Sequence, residues 1–318
     1  MKIAIVGPGA LGCLLAGLLA RSGEDVTLID YKPARAARIR RQGIIIADPE
    51  PGAAIPVKAT AATRGLGKPD LAIFCVKSYD TAAAAERLKP AVGPGTLILT
   101  LQNGLGNAEV LEAAFGPQNL LAGVTTQGVT LVGVGRVRRA GRGKAYVGWA
   151  KPALHEGKVD DEARLAAIAG LLQAIEISTE AVPRVERYIW HKLILNAALN
   201  PLGALLRVRN GELLGLAPVR ELMSEIVREA VATARLVGIL LPATDYMAEV
   251  EALLKQTQDN VCSMLQDVLR GRPTEVAYIN GALGKTAEDM GMPLSVNSLI
   301  TLLVQATEQS YPARVERL

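Results

Sequence analysis

The sequence predicts an α/β chain: a doubly wound, parallel-sheet domain over residues 1–182, followed by an all-α C-terminal domain over residues 183–318. Three observations predict it. Residues 2–6 are a short β-branched run, followed by Gly7, Gly9 and Gly12 and then an apolar helical stretch. Strand-like and helix-like segments alternate beyond it. From about Pro183 strand patterning almost vanishes and long apolar-periodic segments take over, with Pro201, Pro218, Pro242, Pro273 and Pro293 marking starts or kinks.

The opening "KIAIVGPGALGCLLAGLLARSGEDVTLID" reads as strand, helix closed by Gly23, and second strand. Its G-x-G-x-x-G is a weak signal alone. Here it sits between a strand and a helix, and Asp30 ends the next strand, which is the context a dinucleotide fingerprint requires. Gly7 permits a tight turn, Gly9 a close approach to a pyrophosphate, and Gly12 close helix–strand packing. Amides at the helix start face the phosphates. The expected cradle is Gly7, Pro8, Gly9, Ala10, Leu11 and Gly12, in a Rossmann-type sheet. A carboxylate at Asp30 suits ribose hydroxyls and repels a 2′-phosphate, which favours NADH, although Lys32, Arg35 and Arg38 follow closely. Asp30 also suits a helix N-cap near Pro33.

Further strands are expected within 70–80, with Lys77 at the carboxyl end, and within 95–107, ending in Gln102, Asn103 and Gly104, with a helix over 82–89 between them. Lys77 and Asn103 then stand beyond the carboxyl ends of strands, where ligands bind in open α/β sheets. A plain surface lysine and a turn asparagine are the alternatives. Residues 120–150 read as short antiparallel strands appended to the sheet, 154–160 as a polar loop, then a helix near 161–173 and a strand near 175–179. Helices are expected at 184–206, 219–238, 245–271, 274–290 and 297–310.

Composition narrows function. The net charge is +4, from 35 basic and 31 acidic residues scattered without a long basic run, so no nucleic-acid partner is expected. Cys13, Cys75 and Cys262 are far apart, and the chain has 2 histidines, so no metal site is expected. Free buried thiols fit a reducing compartment. Met1 leads at once into a strand pattern, and no apolar run approaches the roughly 20 residues of a membrane helix. A cytoplasmic protein without a membrane partner is expected.

In "IWHKLILNAALNPLGALLRVRNGEL", residues 189–213, Lys192, Asn196 and Asn200 are spaced i, i+4, i+8. Each step turns about 40° beyond a full turn, so they form one polar stripe on an apolar helix. Such a stripe is costly unless each group finds a partner, as a polar ligand would provide. A solvent face is the alternative, though such faces favour Glu, Arg and several lysines. His191 points elsewhere and reads as structural. Asn260, Ser263 and Gln266 form a second set at helical spacing, and Glu275 follows Pro273, where Thr274 suits an N-cap.

These residues together resemble the ketopantoate reductases (2-dehydropantoate 2-reductases) over nearly the whole chain. The matching pieces are "GPGALG", "VK" at 76–77, "QNGLG" at 102–106, "WHKLILNAALNPLGAL" at 190–205, "NGEL" at 210–213, "SMLQD" at 263–267 and "TEVAYINGAL" at 274–283. The resemblance implies a Rossmann-type domain, an all-helical domain and an active site in the cleft between them. It implies Lys192 as the catalytic lysine and Asn196, Asn200, Asn210 and Ser263 as substrate-binding residues. Asn103 would lie near nicotinamide and substrate, while Lys77 and Glu275 would contact cofactor or organise the site. An ammonium aimed at a ketone oxygen can polarise it and protonate the alkoxide that hydride addition creates.

The implied reaction is NAD(P)H-dependent reduction of ketopantoate to pantoate, feeding pantothenate and coenzyme A biosynthesis. The resemblance favours NADPH, whereas Asp30-Tyr31-Lys32 departs from the basic residue common after the second strand. The alternatives are a related reductase of another 2-keto acid, and a dinucleotide-binding sensor without turnover, which would need no proton donor. The expected partner is a small-molecule 2-keto acid, and a homodimer is a candidate assembly.

Overall fold

In a computed structural model, residues 1–48, 50–293 and 295–313 are described. The chain divides into two compact units. One comprises residues 1–102 and 107–186; the other comprises 103–106 and 187–318.

The elements of the first unit are, in order, β1 (Lys2–Val6), α1 (Ala10–Arg21), β2 (Asp25–Ile29), α2 (Pro33–Gln42), β3 (Ile45–Ala47), β4 (Lys58–Thr60), β5 (Leu71–Phe74), α3 (Thr81–Leu88), β6 (Leu97–Thr100), α4 (Asn107–Phe115), β7 (Leu120–Thr125), β8 (Gly128–Gly133), β9 (Arg136–Gly141), β10 (Lys144–Trp149), α5 (Val159–Ala174) and β11 (Ser178–Ala181). Eight strands form one sheet in the order β11-β10-β7-β6-β5-β1-β2-β4. Every pair is parallel except β10 against β7.

Side chains alternate across a strand, so a strand buried on both faces must be apolar throughout. Ile3, Ile5, Leu71, Ile73, Leu97 and Leu99 join one core; Ala4, Val6, Ala72, Phe74 and Ile98 join the core on the other face. The chain builds outward from β1 through β2, then crosses back to β5. The sheet therefore has its topological switch beside β1, where a ligand crevice forms in such sheets.

Residues 120–150 depart from the appended antiparallel meander that the sequence predicts. β7 extends the main sheet in parallel beside β6, and β10 returns antiparallel to β7. Only β8 and β9 stand apart, pairing with the early strand β3 in a second sheet. Three-residue β3 and β4 carry too little pattern to be read locally; long-range pairing makes them.

The second unit is helical: α6 (Glu186–Leu206, its first residue in the other unit), α7 (Ala217–Leu236), α8 (Tyr246–Gln256), α9 (Ser263–Leu269), α10 (Asn280–Asp289) and α11 (Val296–Gln309). The single helix expected over 245–271 is two. Asn210 and Gly211 N–H donate to the carbonyls of Asn260 (3.0 Å) and Gln258 (3.1 Å), drawing the chain out of helix between α8 and α9. The helix expected from 274 begins instead at Asn280, after a 3₁₀ turn over Val276–Tyr278.

Pro201 lies inside α6. It has no N–H for the carbonyl of Ala197 four residues back. The wholly buried Asn280 supplies the missing donor, its Nδ2 reaching Ala197 O at 3.1 Å and Asn297 Oδ1 at 3.0 Å. Asn297 in turn donates from Nδ2 and N to the Glu229 carboxylate (2.8 and 2.9 Å), which also accepts from Ser295 and Val296 N–H. A buried polar chain thus ties α7, α11 and α10 to the proline of α6.

Candidate active site

The glycine cradle fills the turn from β1 into α1. Gly7 has φ +108°, in the region that favours glycine. A Cβ on Gly12 would lie 1.9 Å from Gly7 O, so no other residue allows α1 to start so close to β1. Pro8 O accepts from the Cys13 thiol at 3.4 Å, and Ala10 and Leu11 open the helix. Gly9 is the N-cap of α1, and no side chain caps it. The first-turn amides have no intrahelical acceptor. Open backbone, amide donors and the positive helix end fit a dinucleotide pyrophosphate.

Asp30, directly after β2, is buried and paired. It is 1% exposed, and its carboxylate takes both Nε and Nη2 of Arg35 and the Lys32 N–H at 3.0 Å. It is not the N-cap of α2, which is Lys32. Its charge is therefore spent on Arg35. What the surface offers instead is Tyr31, 50% exposed, with Lys32 Nζ 5.3 Å and the Arg35 and Arg87 guanidinium carbons each 5.4 Å from its ring centroid. Asp80 belongs to the same neighbourhood. Burial raises its carboxyl pKa, while Arg87, Arg35 and Lys32 act to lower it.

Lys77 follows β5 and begins a 3₁₀ turn over Ser78–Asp80. The loops after β5 and β6 are laced together around it. Gln102 Nε2 donates to Val76 O (2.9 Å) and Thr81 Oγ1 (2.7 Å), Thr81 donates to Asn107 Oδ1 (2.9 Å), and Asn107 donates to Ser78 Oγ (3.1 Å).

In the helical unit, Lys192 on α6 donates from Nζ to Asn103 Oδ1 at 2.8 Å. Asn103 begins the short segment 103–106 that groups with the helices. That segment is pinned by the turn after Glu275: Leu105 N–H donates to Tyr278 O at 2.9 Å. Gly104 has φ +81°, and a Cβ there would lie 2.4 Å from the same oxygen. Burial lowers the Lys192 pKa to about 8, and the negative charge of Glu275, itself 5% exposed, opposes that fall. The result is an ammonium that is charged at neutral pH but releases its proton more readily than a free lysine.

The α6 stripe is not a solvent face. Asn200 is 4% exposed, and Lys192 and Asn196 are partly buried. His191, off the stripe, pairs with Glu249 at 3.0 Å, as a structural residue would. Asn210 is buried, its Nδ2 bound to Thr257 Oγ1 at 2.9 Å while Oδ1 has no protein partner. Ser263 is exposed at the first turn of α9. Gln266, expected beside it, is committed to Val261 O at 2.9 Å, and Asn260 lies outside the helix. Among the described residues no cluster of three or more His, Cys, Asp or Glu could hold a metal, and no helix is long and apolar enough to cross a membrane.

Sequence reasoning passed over Arg87, which meets Tyr31 only in the folded chain. It also passed over Asn280; a proline inside a helix vacates a carbonyl, so a later buried asparagine was the available signal.

The chain is similar to known proteins over nearly its whole length. Residues 3–152 match the family model "Ketopantoate reductase PanE/ApbA", and residues 184–308 match its C-terminal counterpart. A 2-dehydropantoate 2-reductase of Pyrococcus horikoshii is 36% identical over 309 residues, covering 97% of this chain and 98% of that one. The crystal structure of a PanE/ApbA family ketopantoate reductase from Ralstonia eutropha superposes with TM-score 0.87 at 31% identity, covering 98% and 99% of the two chains. D-mandelate dehydrogenase in its ternary structure with NADH and anilino(oxo)acetate superposes with TM-score 0.90 at 26% identity, with the same coverage. With both of its halves matched, the chain belongs to the ketopantoate reductase family.

Proposed function

We propose that this chain reduces 2-dehydropantoate to pantoate, the step that feeds pantothenate and coenzyme A synthesis. A bound nicotinamide dinucleotide supplies the hydride. Lys192 polarises the ketone oxygen and gives its proton to the alkoxide. Asn103 holds the Lys192 ammonium, and Glu275 keeps it charged against burial. Asn196 and Asn200, one and two turns along α6, bind the substrate with Asn210 and Ser263. Gly7 to Gly12, with Lys77, hold the cofactor. The 2.8 Å Lys192–Asn103 hydrogen bond carries this reading, since a lysine in a helical stripe gains a fixed direction only through such a partner.

NADPH is the proposed cofactor. Arg35 satisfies Asp30, so the carboxylate is a weak deterrent to a 2′-phosphate, and Lys32, Arg35 and Arg87 around Tyr31 suit one. The likeness to D-mandelate dehydrogenase supports reduction of another 2-keto acid as the alternative. Cofactor oxidation followed at the nicotinamide absorbance separates them, with 2-dehydropantoate and phenylglyoxylate as substrates and NADPH and NADH as cofactors. A preference for 2-dehydropantoate with NADPH is expected; preference for phenylglyoxylate would contradict it.

A further inference from the structure

A carboxylate in the last turn of a helix lies at the negative end of the helix dipole, where acids are disfavoured. Glu308 occupies that place in α11, so something else must hold it there. It is Thr274. Glu308 Oε1 accepts both the Thr274 N–H (2.8 Å) and the Thr274 hydroxyl (2.6 Å). The same hydroxyl oxygen accepts the Val276 N–H at 3.2 Å. The residues on either side of Glu275 are thereby tied, directly or through one hydroxyl, to a single carboxylate. Just beyond α11, the Tyr311 hydroxyl donates to Arg272 O at 3.1 Å. The end of α11 grips the chain from Arg272 to Val276.

We infer that Glu308 is a positioning residue for the active site: by holding Thr274 it fixes the peptide that carries Glu275. The inference rests on the reductase assignment above. Thr274 is 5% exposed, and removing Glu308 takes the one acceptor shared by its N–H and its hydroxyl. On the far side of the turn, Tyr278 N–H returns to Glu275 O at 2.9 Å and Tyr278 O receives Leu105 N–H. Displacing the peptide at 274–276 thus moves both Glu275 and the segment that begins with Asn103, the two residues that govern Lys192. Loss of Glu308 should slow the chemical step while leaving the glycine cradle intact.

The test is a double-mutant cycle on the full chain with 2-dehydropantoate and NADPH. E308A and T274V are expected to lower kcat about 10-fold to 100-fold, the scale of a small misplacement of acting groups. KM and NADPH affinity should change little. E308Q, which keeps an acceptor oxygen, and T274S, which keeps the hydroxyl, should retain most of the rate. In an E275Q background, E308A should have a smaller effect on kcat than in wild type, the remainder passing through Asn103. Should E308A not fold, T274V against T274S carries the same comparison. An active wild type with unchanged kcat in E308A and T274V, or full additivity with E275Q, would overturn the inference. An inactive wild type would overturn the reductase assignment instead.

Discussion

Lys192 and Asn103 are 89 positions apart in sequence, and 2.8 Å separates the lysine Nζ from the asparagine Oδ1. One residue belongs to a long helix, the other to a four-residue segment following a strand. Their meeting gives a lysine on an apolar helix a fixed direction, as the proposed role of proton donor requires. The consequences can be measured.

The first concerns pH. In the free enzyme Lys192 titrates at about 8, lowered by burial and held up by Glu275. Reduction needs the charged form, so kcat/KM should be level at neutral pH and fall above about 8. Replacing Glu275 by Gln removes the group that opposes burial, so the falling limb should move to lower pH. A limb near the ordinary lysine value of roughly 10.4 would contradict this placement.

The second concerns Gly104. Alanine there puts a Cβ 2.4 Å from Tyr278 O at φ +81°. The segment must shift and carry Asn103 with it. G104A should lose about 1–3 kcal/mol of stability, read from denaturant midpoints, and about 100-fold in kcat. Wild-type kcat in G104A would show that the Asn103 contact is dispensable.

The third concerns the cofactor. R87A removes a cation from the Tyr31 cluster without touching the Asp30–Arg35 pair. KM for NADPH should rise about tenfold, one lost phosphate contact, while KM for NADH stays put. Equal effects on both cofactors would place the 2′-phosphate elsewhere.

How much of this was legible follows from where each interaction originates. The β1–α1–β2 unit is local: glycines, a strand and a helix start lie within 30 residues, and the steric reason for Gly12 is its neighbour Gly7. The polar stripe on α6 is local too, since 3.6-residue periodicity alone aligns Lys192, Asn196 and Asn200. The partner of Asp30 was not legible, because its charge is answered by Arg35 in the first turn of α2, a pairing that periodicity does not reveal. The break between α8 and α9 was invisible for a similar reason. No proline or glycine marks 257–262, and the carbonyls are drawn out by Asn210 and Gly211 from far earlier in the chain.

The fourth prediction concerns the proline of α6. N280A leaves Ala197 O and the Asn297 amide oxygen without their donor and should cost about 1–3 kcal/mol. Adding P201A restores an N–H to the helix at the vacated carbonyl, so the double variant should recover part of that loss. Additive destabilisation in thermal unfolding would show that Asn280 acts elsewhere.

The fifth concerns acid. Burial pushes the Glu229 carboxyl pKa up, but hydrogen bonds from Val296, Asn297 and Ser295 reverse this and leave it below its ordinary value. The stability it contributes is therefore full above the unfolded glutamate value, roughly 4.3, and is lost as pH falls through the lower folded value. Unfolding of wild type should show this acid dependence and E229Q should flatten it. An equally steep profile in E229Q would assign the effect to other carboxylates.

The most direct measurement is the turnover of K192A with 2-dehydropantoate and NADPH beside its affinity for NADPH alone. The glycine cradle belongs to the other unit, so NADPH binding should be preserved while kcat falls by several orders of magnitude. A K192A enzyme that turns over near the wild-type rate would show that the proton comes from another group and that the Lys192–Asn103 contact is structural.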